Sequence, residues 1–326
     1  NKVMIQRLST QLPEWARSTH PHVRYELGLA QRTSKRSRYF QAIGLSILVV
    51  LLFVGGYLIG MNFLQNAPGQ NLTEGMMSVL YWPTFGLQIL LQFLALMLTI
   101  NTISEQKRRL TWDNLRATEG GAGLAVRARW ASTYYRLRIL IGLIIGIRII
   151  LIAGILYDLT SFQGRYIDLL INNITPEVSP LIGAILLAFL MTASILIPLT
   201  GMGLDAAIGL VLAVNIQQRV YAIMTMIVLV AVRVLVVVLL MVGAGQFING
   251  QLATIGEINA WLLMGGYSAI GDWGLRFLHL GFYSEVWATV PYAILFGIGL
   301  LIFALLQSAL TEWLLAFTIR RAEQIG

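Results

Sequence analysis

Cysteine is absent from the chain. Its absence excludes disulfides, thiolate-held zinc, iron–sulfur clusters and a cysteine nucleophile, and leaves the redox compartment open. Histidine is nearly absent, with only His20, His22 and His279. None of the three lies within a predicted span, so the paired axial ligands of a membrane haem are missing. No GxxxxGK[ST] phosphate loop occurs, so the chain cannot by itself cradle and hydrolyse ATP. Neither a Ser/His/Asp arrangement nor HExxH presents itself. Charge is scarce as well, at 12% of 326 residues, against about 25% in ordinary soluble domains.

What fills the chain is apolar: 57% of residues are hydrophobic and the mean hydropathy is +0.74. A soluble protein of this composition could not cover its surface, so the class is an all-α, polytopic integral membrane protein. The opening 39 residues are basic and interrupted by Pro13 and Pro21, unlike the short charged region and apolar core of a signal peptide. A bilayer takes about 20 apolar residues to cross. Six stretches qualify, at about 40–64, 77–103, 139–157, 181–216, 219–244 and 288–316.

Charge sets their orientation. Residues 1–39 hold eight Lys/Arg and 104–138 another eight, whereas 65–76 has none and 158–180 only Arg165. By the positive-inside rule, both termini and the 104–138 loop are cytoplasmic. The net charge of +8 is therefore topological, and nucleic acid is not a partner. Residues 181–216 exceed one straight span and contain Pro198, Gly201 and Gly203, which predicts one long helix bent near Pro198. The 245–287 region is aromatic and Gly-rich but too charged for a full crossing. It reads as an outer re-entrant or interfacial helical region.

In the N-terminal segment, Ile5, Leu8, Leu12 and Trp15 recur at three or four residues, with Arg7 and Arg17 off the stripe. This suits an amphipathic helix in the inner interface or one packed on the cytoplasmic side. Residues 104–118 also read as a helix: Glu105 precedes Arg108 and Arg109 at helical spacing, and Trp112 and Leu115 share a face. Gly120, Gly121 and Gly123 then stop it, and the helix resumes toward the third span. Spacing alone makes this a solvated helical hairpin.

The word order adds a resemblance. "ISEQKRRLTWDNLRAT" resembles the stretch after the second span in type-2 ABC exporter permeases. "HPHVRYELGLAQRTSKRSRYF" (20–40) is similar to that family's entry into its first span. "GLDAAIGLVLAVNIQQRVYAIMTMIVLV" (203–230) is similar to its passage from the fourth to the fifth span. The resemblance implies that 104–118 is a coupling helix docking on a separate ATP-binding-cassette ATPase through Glu105, Arg108, Arg109, Thr111, Trp112, Leu115 and Arg116. Asn114 and the following Gly-Gly-Ala-Gly depart from the family's pattern. It also implies a second permease chain, identical or homologous, a seat in the cytoplasmic membrane, and no cofactor in this chain, with ATP and Mg bound by the partner.

Two arginines lie near mid-span, Arg148 and Arg233, with Asp205 and Glu312 as available acids. A central Arg costs about 2.5–3.5 kcal/mol on insertion scales, so it faces the interior, pairs, or lines a polar path. These four residues are candidates for a translocation path meeting an anionic substrate group, or for a structural ion pair or carbonyl-bound arginine. His20 and His22 flank Pro21 in a turn; His279, Asp272 and Glu285 could form an outer metal or proton site, or simply pack. The alternative to an exporter subunit is a non-catalytic accessory subunit of a larger membrane complex, for example a bioenergetic one. A third is an intramembrane lipid-modifying enzyme.

Overall fold

The computed structural model describes residues 12–28, 72–100, 121–160, 180–216, 218–252, 256–278 and 296–324, with isolated positions between 39 and 54. Among the described residues every regular element is helical. Helix α1 is Pro21–Glu26, α2 Leu72–Ile100, α3 Gly121–Thr160, α4 Pro180–Asn215, α5 Arg219–Ile248, α6 Glu257–Gly266 and α7 Phe296–Gln324. Five of them (α2, α3, α4, α5 and α7) are long and apolar enough to cross a membrane. In hydrocarbon each backbone N–H and C=O must find its partner within the segment, which is why such runs become helices. The span expected at 40–64 and the coupling stretch 104–118 lie outside the described residues.

Helix α4 is the hub, packing most extensively on α7 and then on α2 and α3. Small residues on α4 and its neighbours permit this. A Cβ on Gly297 of α7 would stand 2.6 Å from the Leu186 carbonyl oxygen and 2.9 Å from the Leu190 nitrogen. Trp130 Nε1–H donates to the Gly203 carbonyl at 2.9 Å, and the Tyr134 hydroxyl to that of Leu199 at 3.1 Å, which locks α3 against α4 in one register. At about 1.5 Å per residue, the 40 residues of α3 run about 60 Å, twice the hydrocarbon thickness of about 30 Å.

Several boundaries differ from those read in the sequence. The third span's helix begins at Gly121, so 121–138, assigned to the loop, is continuous with the span. Gly123 does not stop it; its helical turn packs beside Ile319 of α7. The last helix starts at Phe296 and carries the tail to Gln324. Residues 180–215 are a single helix running through Pro198, as expected for one long element. Leu12 and Trp15 do not share an α-helix, because Pro13 introduces a short 3-10 turn over Glu14–Ala16.

That N-terminal segment is strapped to the first turns of α3. Glu26 pairs with Arg129 at 2.9 Å, and the Tyr135 hydroxyl donates to the Ala16 carbonyl at 2.8 Å. Arg136 bonds the Glu26 carbonyl, and Arg127 lies over the Trp15 ring at 5.8 Å.

Candidate functional site

After α5 the chain turns back. Helix α6 leads into a π-turn over Tyr267–Gly271, a tight bend at Asp272–Leu275 and a 3-10 turn over Arg276–Leu278. Tyr267, Trp273, Phe277 and Leu278 are all buried here. The bend is possible because it satisfies its own backbone. The Asp272 carboxylate accepts the Gly274 and Arg276 N–H groups at 3.1 and 2.9 Å, and the Ser268 carbonyl accepts Gly274 N–H at 2.7 Å. Trp273 and Gly274 take left-handed φ values of 57° and 73°. Gly274 does so freely, whereas a bulky residue in this region stores about 1–3 kcal/mol that the surroundings must hold. The Trp273 indole fits because residue 201 is glycine: a Cβ there would meet the ring at 3.0 Å.

Arg148 closes the site from the middle of α3. Fully buried, it donates Nη1–H to the Ser194 carbonyl at 2.5 Å and to the Trp273 carbonyl at 2.8 Å, and Nη2–H to that of Asp272 at 3.3 Å. With its amide turned to satisfy both neighbours, Gln88 donates to the Asp272 carbonyl at 3.2 Å and accepts from Arg148 Nη2 at 2.5 Å. The Ser194 carbonyl is free for a local reason. Proline has no N–H, so Pro198 cannot bond the carbonyl four residues before it, which belongs to Ser194. The proline thus frees an acceptor, and an arginine from the neighbouring helix takes it. On the other flank Tyr81 and Tyr267 share a hydrogen bond of 2.6 Å, with the Arg276 guanidinium 5.6 Å from the Tyr81 ring.

The second arginine sits elsewhere. Arg233 of α5 reaches to Asp205 of α4, and the two form an ion pair in which Asp205 is 1% exposed and Arg233 24%. The other carboxylate oxygen of Asp205 is buried with no partner among the described residues. No known protein family, curated protein or solved structure matches this chain.

Of the four candidates from the sequence, the structure joins Asp205 to Arg233, gives Arg148 carbonyl partners instead of an acid, and leaves Glu312 exposed on α7. Glu105, Arg108, Arg109, Thr111, Trp112, Leu115 and Arg116 fall outside the described residues, as do His279 and Glu285. Asp272 is spent on its own bend, and no metal-holding cluster occurs among the described residues. His20 and His22 stack on each other, with ring centres 5.6 Å apart. Gln88, Ser194 and Trp273 were not singled out by the sequence reading. One signal was available: Thr84, Gln88 and Gln92 recur every four residues in an otherwise apolar span, marking one polar face.

Proposed function

We propose that this chain is the membrane-spanning subunit of an exporter of the type-2 ABC kind, moving its substrate with ATP hydrolysed on a separate subunit. One observation carries the reading. Helix α3 runs without a break from Gly121 to Arg148, about 40 Å at 1.5 Å per residue. Its first turns are braced by residues 12–28. A push on 104–118 would therefore reach the Arg148 site and the re-entrant tip along one stiff rod. Coupling needs such a contiguous element, with two arrangements available at its far end. On this reading the bend at Asp272–Gly274, tied by hydrogen bonds to Arg148, is the element that would have to take a second arrangement.

On this reading 104–118, 1–39 and the C-terminus face the cytoplasm, the chain lies in the cytoplasmic membrane, and a second permease chain completes the path. Glu105, Arg108, Arg109, Thr111, Trp112, Leu115 and Arg116 form the docking face. ATP and Mg belong to the ATPase partner. The accessory-subunit reading has its own support: both mid-span arginines are engaged by the protein itself, which suits a static scaffold.

Extraction in mild detergent followed by mass spectrometry of co-purifying proteins separates the two. A stoichiometric Walker-motif ATPase, lost in the Trp112→Ala/Arg108→Glu double variant, is the expected result. Redox or other membrane subunits with no ATPase would overturn transport in favour of the scaffold.

A further inference from the structure

Helix α3 is about twice as long as the hydrocarbon is thick, and its exposed residues mark where the water ends. Up to position 138 every exposed residue of α3 is an arginine: Arg127, Arg136 and Arg138. From Ile139 to Leu156 every exposed residue is Ile, Leu, Ala or Gly. The change falls between Arg138 and Ile139, which is 64% exposed. An exposed guanidinium is costly among lipid tails and an exposed isoleucine is not, so Arg136 and Arg138 stand at the level of the lipid head groups. Arg127 lies eleven residues before Arg138, about 16 Å farther into water.

The N-terminal brace reaches the same level. The Glu26 carbonyl accepts from Arg136, so the end of α1 lies beside it. Arg24 and Tyr25, in the last turn of α1, are both exposed, Tyr25 to 58%. Tyrosine concentrates in the head-group layer, where its ring meets the tails and its hydroxyl meets water. Charge at this junction is one-sided. Residues 12–28 and 121–138 together hold six arginines and two acids, Glu14 and Glu26. Glu26 pairs with Arg129, and Glu14 neighbours Trp15, at the level of Arg127. Among the described residues no carboxylate pairs with Arg24, Arg136 or Arg138. Arg24 and Arg136 share one flank of α3, and Arg138, two positions on, lies on the opposite flank.

We propose that the junction of α1 with α3 binds anionic phospholipid in the leaflet it faces, with lipid phosphates seated on Arg24 and Arg136 at one flank of α3 and on Arg138 at the other. The guanidinium fork matches two phosphate oxygens at once, which an ammonium cannot do. Each basic residue at a membrane surface favours anionic lipid by about five-fold in affinity, and the attraction fades within a Debye length. Lipid is the occupant, and not an acidic protein, because the unpaired arginines sit at the edge of the apolar surface. Arg127, out in the water, is instead covered on one face by the Trp15 ring. The site stands independently of any ATPase partner, and its test reads binding alone.

The probe is phosphatidylglycerol spin-labelled on its acyl chain, present as a trace in phosphatidylcholine vesicles that hold the full-length protein. Electron paramagnetic resonance compares its motionally restricted fraction with that of spin-labelled phosphatidylcholine. The anionic lipid should be enriched at the protein at least about five-fold. Arg136→Gln/Arg138→Gln should lower that enrichment at least about five-fold, and Arg136→Lys/Arg138→Lys, which keeps the charge without the fork, should fall between. Arg127→Gln, the same loss of charge about 16 Å away, should leave it unchanged. At about 1 M salt, where the Debye length is about 3 Å, the enrichment by the unmodified protein should vanish, a readout that needs no variant to fold. Equal restriction of the two lipids at low salt would overturn the site. Enrichment that survives Arg136→Gln/Arg138→Gln, or that Arg127→Gln lowers as far, would overturn its placement at the head groups.

Discussion

Pro198 and Arg148 act as one unit. The proline withholds a backbone donor from the Ser194 carbonyl, and the guanidinium replaces it while reaching two carbonyls of the re-entrant bend. Arg148→Met should therefore cost more than a lost contact, because the buried Ser194 and Trp273 carbonyls would be orphaned; a destabilisation of about 3–5 kcal/mol is expected from thermal unfolding in detergent. Arg148→Lys keeps the charge but not the planar fork, and should fall between wild type and Arg148→Met. Pro198→Ala returns an N–H to the Ser194 carbonyl, so its effect should differ when Arg148→Met is already present. A coupling of about 0.5–3 kcal/mol between the two substitutions is the outcome to measure. The sequence announced Arg148 and Pro198 separately, as a costly charge and as a bend. Their connection was not legible, because they lie on different helices and only the α3–α4 register brings them together.

At the level of elements, close packing of α4 decides the architecture. Gly297 lies where any side chain would strike the α4 backbone. Gly297→Ala should force α7 from α4 and lower stability by about 1–3 kcal/mol, whereas Gly299→Ala, with open space around its Cβ position, should leave the unfolding temperature unchanged. Spans were readable because hydrophobic length is a strong signal; helix ends were not, since charged residues such as Arg127 and Arg129 ride on the same helix as the span. That the chain after α5 forms short helical pieces and not another long span was legible from aromatics and glycines mixed with charge. The depth of the tip was not, because it rests on Asp272 capping its own bend and on a left-handed Trp273.

For the molecule as a whole, residues 12–28 form a brace on α3 whose grip should weaken in acid. Burial holds the His22 pKa below its ordinary value, aided by His20 and opposed by Glu26. A histidine with a depressed folded pKa contributes stability above its unfolded value of about 6.5 and loses it as pH falls through the folded one. Trypsin should therefore cleave 12–28 faster at about pH 5.5 than at about pH 7.5, two values chosen to bracket that unfolded pKa, and His22→Phe should flatten the difference. Orientation can be measured cleanly, since the chain contains no cysteine. His20→Cys and Glu323→Cys, made singly, should both react with an impermeant maleimide only from the cytoplasmic face; labelling of one terminus from each face would require an odd number of spans.

The ties of Arg148 also order the protein's birth. Its Trp273 acceptor is 125 residues downstream, about 6–25 s of synthesis at about 5–20 residues per second. Over that interval α3 leaves the translocon with a guanidinium that has no permanent home, and α4 can offer it only the single carbonyl vacated at Pro198. A chain that ends before the bend would leave Arg148 with Gln88 and the Ser194 carbonyl as its partners. The Arg148 site is thus complete only once residue 273 has been made.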